Sequence, residues 1–411
     1  MKERVTEMKI GLIGYGTVGS GVYERLIRSR EQIETIIGEK FEIIRILVKD
    51  VKKHEAVHRN LFTSSWESFF EQEQYDLVFE AINGTDLPKS FTESLLKQGT
   101  SVISANKKLV ALHGEELEQL AYDHGAYYGW DAAVCGAIPI VNVFKSVLVT
   151  TNIQSIAGIL NGTSNYILTK MEEGRTYEDA LEQAQSLGYA EEDPTSDVEG
   201  WDAVYKLCLL ARQCYDQWIS PNDIERVGIS HIDQWHIQAA KALHLSFKLI
   251  AKLEVDSTSL KGFVKPALID QEHSLAPIRG VLNAVTLEGK DMERLIFAGP
   301  GAGKETTANS VVEDFIFHEQ QRDVLPRFTY RLTKIEEGIS EKLTAQEVWF
   351  CKNEQLSEVK PYLEKTKVWK EKEVKGGKVF IVTPLSSATP FFTFPLLTEV
   401  DQEHATVESK L

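Results

Sequence analysis

Cysteine is scarce in this chain: four residues, at positions 135, 208, 214 and 351, among 411. No CxxC spacing occurs, which excludes a disulfide framework and points to reduced thiols in a cytoplasmic protein. The ten histidines do not pair with cysteine at ligand spacing, which argues against a structural zinc site. Long apolar runs are also lacking. The longest, "AAVCGAIPIVNVF", falls short of the roughly 20 residues that a membrane-spanning helix needs. The opening "MKERVTEMKIGLIGYG" has neither the apolar centre nor the cleavage site of a secretory signal. Basic clusters are missing, and a formal net charge of −16 disfavours nucleic acid or an anionic membrane as partner. What remains is an ordinary globular composition, 43% hydrophobic and 26% charged, on a chain too long for one compact domain.

The first chemical signal is "MKIGLIGYGTVGSGVYERL". A short β-branched strand (Lys9 to Ile13) runs into Gly14-Tyr15-Gly16-Thr17-Val18-Gly19, and a helix follows with Val18, Val22 and Leu26 on one face. This is a dinucleotide-binding fingerprint in its required context. Gly14 permits the tight turn, Gly16 lets backbone approach a pyrophosphate, and Gly19 lets helix and strand pack closely. A second strand, Phe41 to Asp50, ends in Lys49-Asp50-Val51-Lys52-Lys53. An acid there suits the ribose hydroxyl of NAD, and a base suits the extra phosphate of NADP. Both kinds are present; Lys49, Lys52 and Lys53 outnumber Asp50, which favours NADP. A long first helix running toward Gly38 accounts for the late position of this strand end.

Two more parallel strands are expected at Tyr75 to Gly84 and Thr100 to Val110, with a capped helix between them. Each ends in small or polar residues, where an open α/β sheet presents its ligand crevice; Asn83 and Ser104 are the candidates there. A further strand, "AYYGWDAAVCGAIPIVNVF", is expected to bend at Gly136 and Pro139. Later, "FAGPGAGKETT" imitates a phosphate-binding P-loop. It fails at two positions, because Ala298 replaces the first glycine and Glu305 stands where a metal-binding hydroxyl belongs.

Past residue 150 the pattern changes. "SIAGILNGTSNYILTKMEEG" reads as a strand, a turn at Asn161-Gly162-Thr163, and a helix. An acid-rich loop then runs into an apolar helix, with Ser196 or Asp197 as candidate caps. On that helix Asp202 and Lys206 stand at i and i+4 and share a face. Glu191, Asp193, Asp197, Asp202 and Lys206 thus gather in one loop and helix start, among glycines and aromatics.

These blocks together carry a resemblance to the homoserine dehydrogenases. "GLIGYGTVGSGV", "SANKKLVA", "DAAVCGAIPI", "GILNGTSNYIL", "LGYAEEDPTSDVEGWDAVYKL", "GVLNAV" and "GPGAGKETTANSVV" occur in order over about residues 8 to 318. The resemblance implies an α/β fold: a Rossmann dinucleotide-binding domain (1–148, completed by 299–318) and an α/β substrate and dimerisation domain (149–298). It implies NAD(P)-dependent interconversion of aspartate semialdehyde and homoserine by a homodimer or higher homo-oligomer. Lys206 matches the family's proton relay or oxyanion stabiliser, and Lys107 its partner near nicotinamide. Glu191 and Asp202 match substrate-binding acids, with Asp197 beside them, and Gly162 and Thr163 lie on a substrate-contacting turn. Gly303 falls in the segment passing the nicotinamide end of the cofactor.

Some positions depart from the family. Asp131 replaces the usual Glu where the backbone of Val134 and Gly136 would hold a sodium ion, Thr306 replaces a proline, and Cys135 a small residue. No His-bearing motif accompanies Cys135, so it is read as a buried structural thiol. Residues 319–411 read as a small α+β appendage without the glycine-centred turn of an amino-acid-binding regulatory domain. Rival readings are another Rossmann amino-acid reductase and a non-catalytic nucleotide-binding paralogue.

Overall fold

The computed structural model describes residues 7–54, 59–70, 74–256, 259–321, 345–385, 389 and 391–398. These residues fall into two compact units. The first holds residues 7–151, 205–221 and 299–321, and the second holds 152–204, 222–298 and 345–398.

The first unit is a Rossmann domain. Its strands are β1 (Met8–Ile13), β2 (Phe41–Leu47), β3 (Phe62–Thr63), β4 (Leu77–Glu80), β5 (Ser101–Ser104) and β6 (Tyr128–Gly129). They form one sheet in the order β3-β2-β1-β4-β5-β6, and every pairing is parallel. β4 and β5 are buried along their whole length, as expected of strands covered on both faces. The helices are α1 (Thr17–Arg28), α2 (Arg30–Ile37), α3 (Trp66–Phe70), α4 (Asp86–Leu96), α5 (Lys107–Asp123) and α6 (Ile140–Ser146). The strand order reverses between β1 and β4, so their carboxyl ends open the crevice that such sheets use for ligands.

Three elements differ from the sequence reading. The expected long first helix breaks at Ser29 into α1 and α2, and Gly38 (φ 76°) ends the second in the left-handed region. The strand expected at Thr100 to Val110 stops at Ser104, because Asn106 caps a helix: its side chain accepts the Leu109 N–H. The strand expected through residues 126–144 shrinks to β6, followed by a 3₁₀ turn (Asp131–Ala133) and α6.

The second unit is built on a mixed sheet. β7 (Ile153–Ile159) leads into α7 (Gly162–Glu172), α8 (Tyr177–Ser186), α9 (Thr195–Val198) and α10 (Trp201–Tyr215), the unit boundary falling inside α10. Next come β8 (Glu225–Arg226), α11 (Gln234–Ala242) and the long antiparallel pair β9 (Leu245–Asp256) and β10 (Ser259–Asp270). β11 (Leu282–Gly289) and β12 (Glu293–Pro300) extend the sheet on the β7 side.

After α12 (Lys304–Gln321), the described residues resume with β13 (Glu347–Lys352), α13 (Leu356–Leu363), β14 (Val368–Val374), β15 (Gly377–Val382) and β16 (Thr393–Leu397). β16 pairs in parallel with β10 at Leu268 and Ile269, so these late strands continue the same sheet. His231 stacks on Phe392, with ring centroids 4.0 Å apart, at that junction. The sequence expectations for 322–344 and for the tail from residue 399 lie outside the described residues.

Candidate active site

The glycine fingerprint has the geometry its chemistry needs. Gly14 (φ 96°) is buried, and a Cβ there would lie 2.5 Å from the Ala81 carbonyl oxygen. A Cβ on Gly19 would lie 2.1 Å from the Gly14 carbonyl oxygen, so helix and turn touch through backbone alone. Gly16 is different: nothing lies within 4 Å of the position its Cβ would take. It is exposed and forms the N-cap of α1 without a side-chain cap, and no acid occupies the first turn. Thr17 and Val18 begin the helix, so the N–H groups of that turn are presented toward an anion. The residues present therefore fit a dinucleotide pyrophosphate.

The far end of β2 carries the expected charges. Lys49 and Asp50 are exposed beyond the strand, and Asp50 Oδ1 accepts the Lys52 N–H at 3.0 Å.

At the carboxyl ends of β4 and β5 the structure adds a group not singled out in the sequence, Glu80. It is buried, accepts the Ile82 N–H at 2.9 Å and bonds Ser104 Oγ at 2.5 Å. Ser104 Oγ also accepts the Asn106 N–H at 3.0 Å. Asn106 in turn donates to the carbonyls of Ile82 (3.1 Å) and Gly84 (2.7 Å), fixing the loop that carries exposed Asn83. Lys107 follows Asn106 as the first residue of α5. A cation is disfavoured at a helix N-terminus, so folding alone gives no reason for it there. Burial pushes the Glu80 carboxyl up to about 7, against the lowering by Ser104 and the Ile82 N–H.

Lys206 lies on α10 with 7% of its surface exposed. Its half of that helix is clamped to α5: Arg212 donates to Glu118 Oε2 through Nε at 3.0 Å and Nη2 at 2.8 Å. Trp218 packs where a side chain on Gly114 of α5 would stand. Both lysines thus sit on helices braced within the first unit.

The acidic candidates lie in the second unit. Asp202, one turn before Lys206, is buried, and so is Asn161. Asn161 Nδ2 donates to Asp197 Oδ1 at 2.7 Å and to Asp202 Oδ2 at 2.8 Å, joining two of the expected acids. Asp197 sits in the short α9 rather than capping the apolar helix; Pro194 precedes α9 as its N-cap. Thr163 Oγ1 donates to the Tyr189 carbonyl at 2.7 Å, tying the turn to the acid-rich loop. Gly162 is required by crowding, since a Cβ there would lie 2.6 Å from the Val281 carbonyl oxygen. Glu191 and Asp193 are exposed on that loop. Asn161 appeared in the sequence reading only as a turn residue.

The return segment explains the P-loop imitation. Gly303 (φ 136°) is exposed just before α12, and Lys304 Nζ pairs with Glu24 at 2.7 Å on α1. Gly21 lets α12 cross α1, because a Cβ there would lie 2.9 Å from Ala308 Cβ. Lys304 therefore serves helix packing.

The carboxylate expected beside a cation is turned elsewhere. Asp131 accepts the Asn142 N–H at 3.2 Å and Nδ2 at 3.1 Å, and the Gly136 carbonyl accepts Ser310 Oγ at 2.5 Å. Val134 is buried beside them. Burial and the neighbouring Asp314 push the Asp131 carboxyl up to about 7. Asp131 is thus bonded to Asn142 and the Gly136 carbonyl to Ser310, and no step is routed through a cation. Cys135 is buried, as read.

With this geometry in hand, comparison with known proteins is decisive. Residues 14–129 match the family described as "Homoserine dehydrogenase, NAD binding domain" and residues 139–316 that described as "Homoserine dehydrogenase". The chain belongs to the homoserine dehydrogenase family. It is 38% identical over 319 residues to the homoserine dehydrogenase of Helicobacter pylori, covering 77% of this chain and 74% of that one. Identity to the Lactococcus lactis enzyme is 34% over 314 residues, 75% and 73% of the two chains. Among solved structures, a homoserine dehydrogenase from Thiobacillus denitrificans superposes with a TM-score of 0.83 at 26% identity, covering 96% of this chain and 99% of that one. A hyperthermophilic archaeal homoserine dehydrogenase in complex with NADPH gives 0.66 at 27% identity, covering 78% and 100%. The Rossmann domain and second sheet domain of this chain are those of the homoserine dehydrogenase fold.

Proposed function

We propose that this chain interconverts L-aspartate 4-semialdehyde and L-homoserine with NAD(P) as hydride carrier. The observation that carries the reading is α10, where buried Asp202 and buried Lys206 stand one turn apart. The rest of the chain supplies an open glycine cradle for the dinucleotide.

When bound, the nicotinamide exchanges a hydride with the carbonyl carbon of the substrate. In the reducing direction Lys206 gives a proton to the carbonyl oxygen as the hydride reaches carbon; in the oxidising direction it takes that proton back. Its burial supports this role, because a charge stabilises a developing alkoxide far more where water is excluded. Lys107 acts beside it, polarising the same oxygen and orienting the nicotinamide end. Glu191 and Asp202, with Asp197 alongside, hold the substrate ammonium and the reacting hydroxyl, and the Gly162-Thr163 turn takes the remaining polar groups. Gly14, Gly16, Thr17, Val18 and Gly19 hold the pyrophosphate; Asn83, Ser104 and Gly303 line the rest of the cofactor's path. NADP is the preferred cofactor in this reading, since Lys49, Lys52 and Lys53 surround Asp50 and its carboxylate already accepts a backbone N–H. The working protein is a cytoplasmic homo-oligomer, at least a dimer.

The test is NADPH and NADH oxidation at 340 nm with aspartate semialdehyde. Turnover favouring NADPH is the expected result. No turnover with either cofactor, in protein shown to be folded, refutes the activity. Faster NADH turnover refutes the preference alone.

A further inference from the structure

We infer that Asn161 is a positioning residue, whose side-chain amide keeps the Asp197 and Asp202 carboxylates side by side and charged. This rests on the reading that those two acids face the substrate. The amide makes three bonds: Oδ1 accepts the Ser164 N–H at 2.8 Å, and Nδ2 donates at 2.7 Å to Asp197 and 2.8 Å to Asp202. Its orientation is dictated by this environment. A flipped amide would turn its oxygen toward two carboxylates and its N–H groups toward another N–H. At 4% exposure, Asn161 is shielded from solvent.

Two carboxylates around one nitrogen repel each other, and one would take up a proton if the donor between them were lost. With both N–H bonds in place, each carboxylate is stabilised in its charged form. The pair then offers an undivided double negative charge to a substrate ammonium. The first turn of α7 links this to the chain's architecture, because the same amide caps α7 through Ser164. Other charged groups border the pair. Glu199, in the α9–α10 link, accepts Ser230 Oγ at 2.7 Å and faces Arg226; Lys206 follows Asp202 by one turn of α10. From the loop before α9, the Tyr189 carbonyl accepts the Thr163 hydroxyl, and Glu191 and Asp193 are exposed on the same loop.

The cap and the bridge can be separated by substitution. Asn161→Asp keeps the shape and the acceptor for Ser164, and replaces both N–H donors with oxygen. Three clustered carboxylates raise the new acid's folded pKa above its unfolded value. Stability is then intact at low pH and is lost as pH rises through the folded pKa. The unfolding midpoint of Asn161→Asp is therefore expected near wild type at pH 5 and well below it at pH 8.5. Turnover of homoserine should follow, with kcat/KM at least 10-fold down at pH 8.5 and the deficit narrowing toward pH 6. Asn161→Ser, which keeps a capping oxygen and one donor, should lose activity by a similar factor at every pH. A stability deficit of Asn161→Asp that is the same at pH 5 and pH 8.5 overturns the proposal. The unfolding profile decides this even if wild-type protein turns over no homoserine, an outcome that would refute the proposed activity instead.

Discussion

Glu80→Gln tests whether the acid under the cofactor crevice carries a proton. In the folded chain burial pushes this carboxyl from 4.5 to about 7. Between those values the folded protein holds a proton that the unfolded chain has released, so stability falls as pH rises through this window. A displacement of that size corresponds to about 3 kcal/mol, at ~1.4 kcal/mol per unit, lost in full by about pH 7 and above. Glutamine is neutral at every pH; its oxygen can still accept the Ile82 N–H, and its amide, like a protonated carboxyl, can donate to Ser104 Oγ, so it mimics the protonated acid and removes the titration. The variant should match wild type near pH 4.5 and exceed it above pH 7.

For a unit of this size, about 3 kcal/mol corresponds to roughly 6–12 °C in unfolding midpoint. Calorimetric scans of both proteins from pH 5 to pH 8 measure it. Other titrating groups, Asp131 among them, are common to the two chains and cancel in the difference. A gap between variant and wild type that does not widen with pH refutes a protonated Glu80. A variant less stable than wild type at pH 8 refutes it more directly, since the charged form would then be the one the fold favours.

Three further outcomes follow from the same geometry. Gly16→Ala should fold with an unchanged midpoint, because its Cβ meets no protein atom within 4 Å, yet raise the KM for NAD(P)H at least 10-fold by occupying the proposed pyrophosphate site; Gly19→Ala, driven against the Gly14 carbonyl, should lose several kcal/mol of stability. Equal effects on folding would contradict the division of roles. Lys206→Ala should lower kcat by about 10²- to 10⁴-fold with cofactor binding retained, as expected for loss of a proton-transfer group; an unchanged kcat removes that role. Asp314→Asn should cost about 3 kcal/mol in thermal unfolding at pH 7, because it strips the Lys145–Asp314 contact (3.5 Å) and leaves the ammonium short of its nearest countercharge; a loss under 1 kcal/mol would show that Tyr127 and Asp131 alone satisfy Lys145.

How much of this was legible in the sequence depended on how far each residue's partners lie along the chain. Gly14, Gly16 and Gly19 were legible because one strand, one turn and one helix within a short stretch carry the motif, although the crowding at Gly14 comes from distant Ala81. The lysines were legible as chemistry but not as structure. "SANKKLV" looks like continuing strand, and only Asn106, reaching back to Ile82 and Gly84, makes Lys107 the start of a helix. Asn161 shows the same limit at a larger span. A turn asparagine before a helix is a local cap signal, which it obeys with Ser164; its other two bonds reach 36 and 41 residues onward and have no local signature. Glu80 passed unnoticed inside the expected strand from Tyr75 to Gly84, since nothing nearby announces that its carboxyl is enclosed by Ser104 and the Ile82 loop. The late strands are the extreme case: the parallel pairing of Leu396 with Leu268 joins segments more than a hundred residues apart through an alternation that any half-buried strand would show. Local motifs therefore pointed to a dinucleotide, and the family resemblance pointed to Lys107 and Lys206. Asn161, Glu80 and Asn106 are polar residues whose bonds exist only once distant backbone has closed around them.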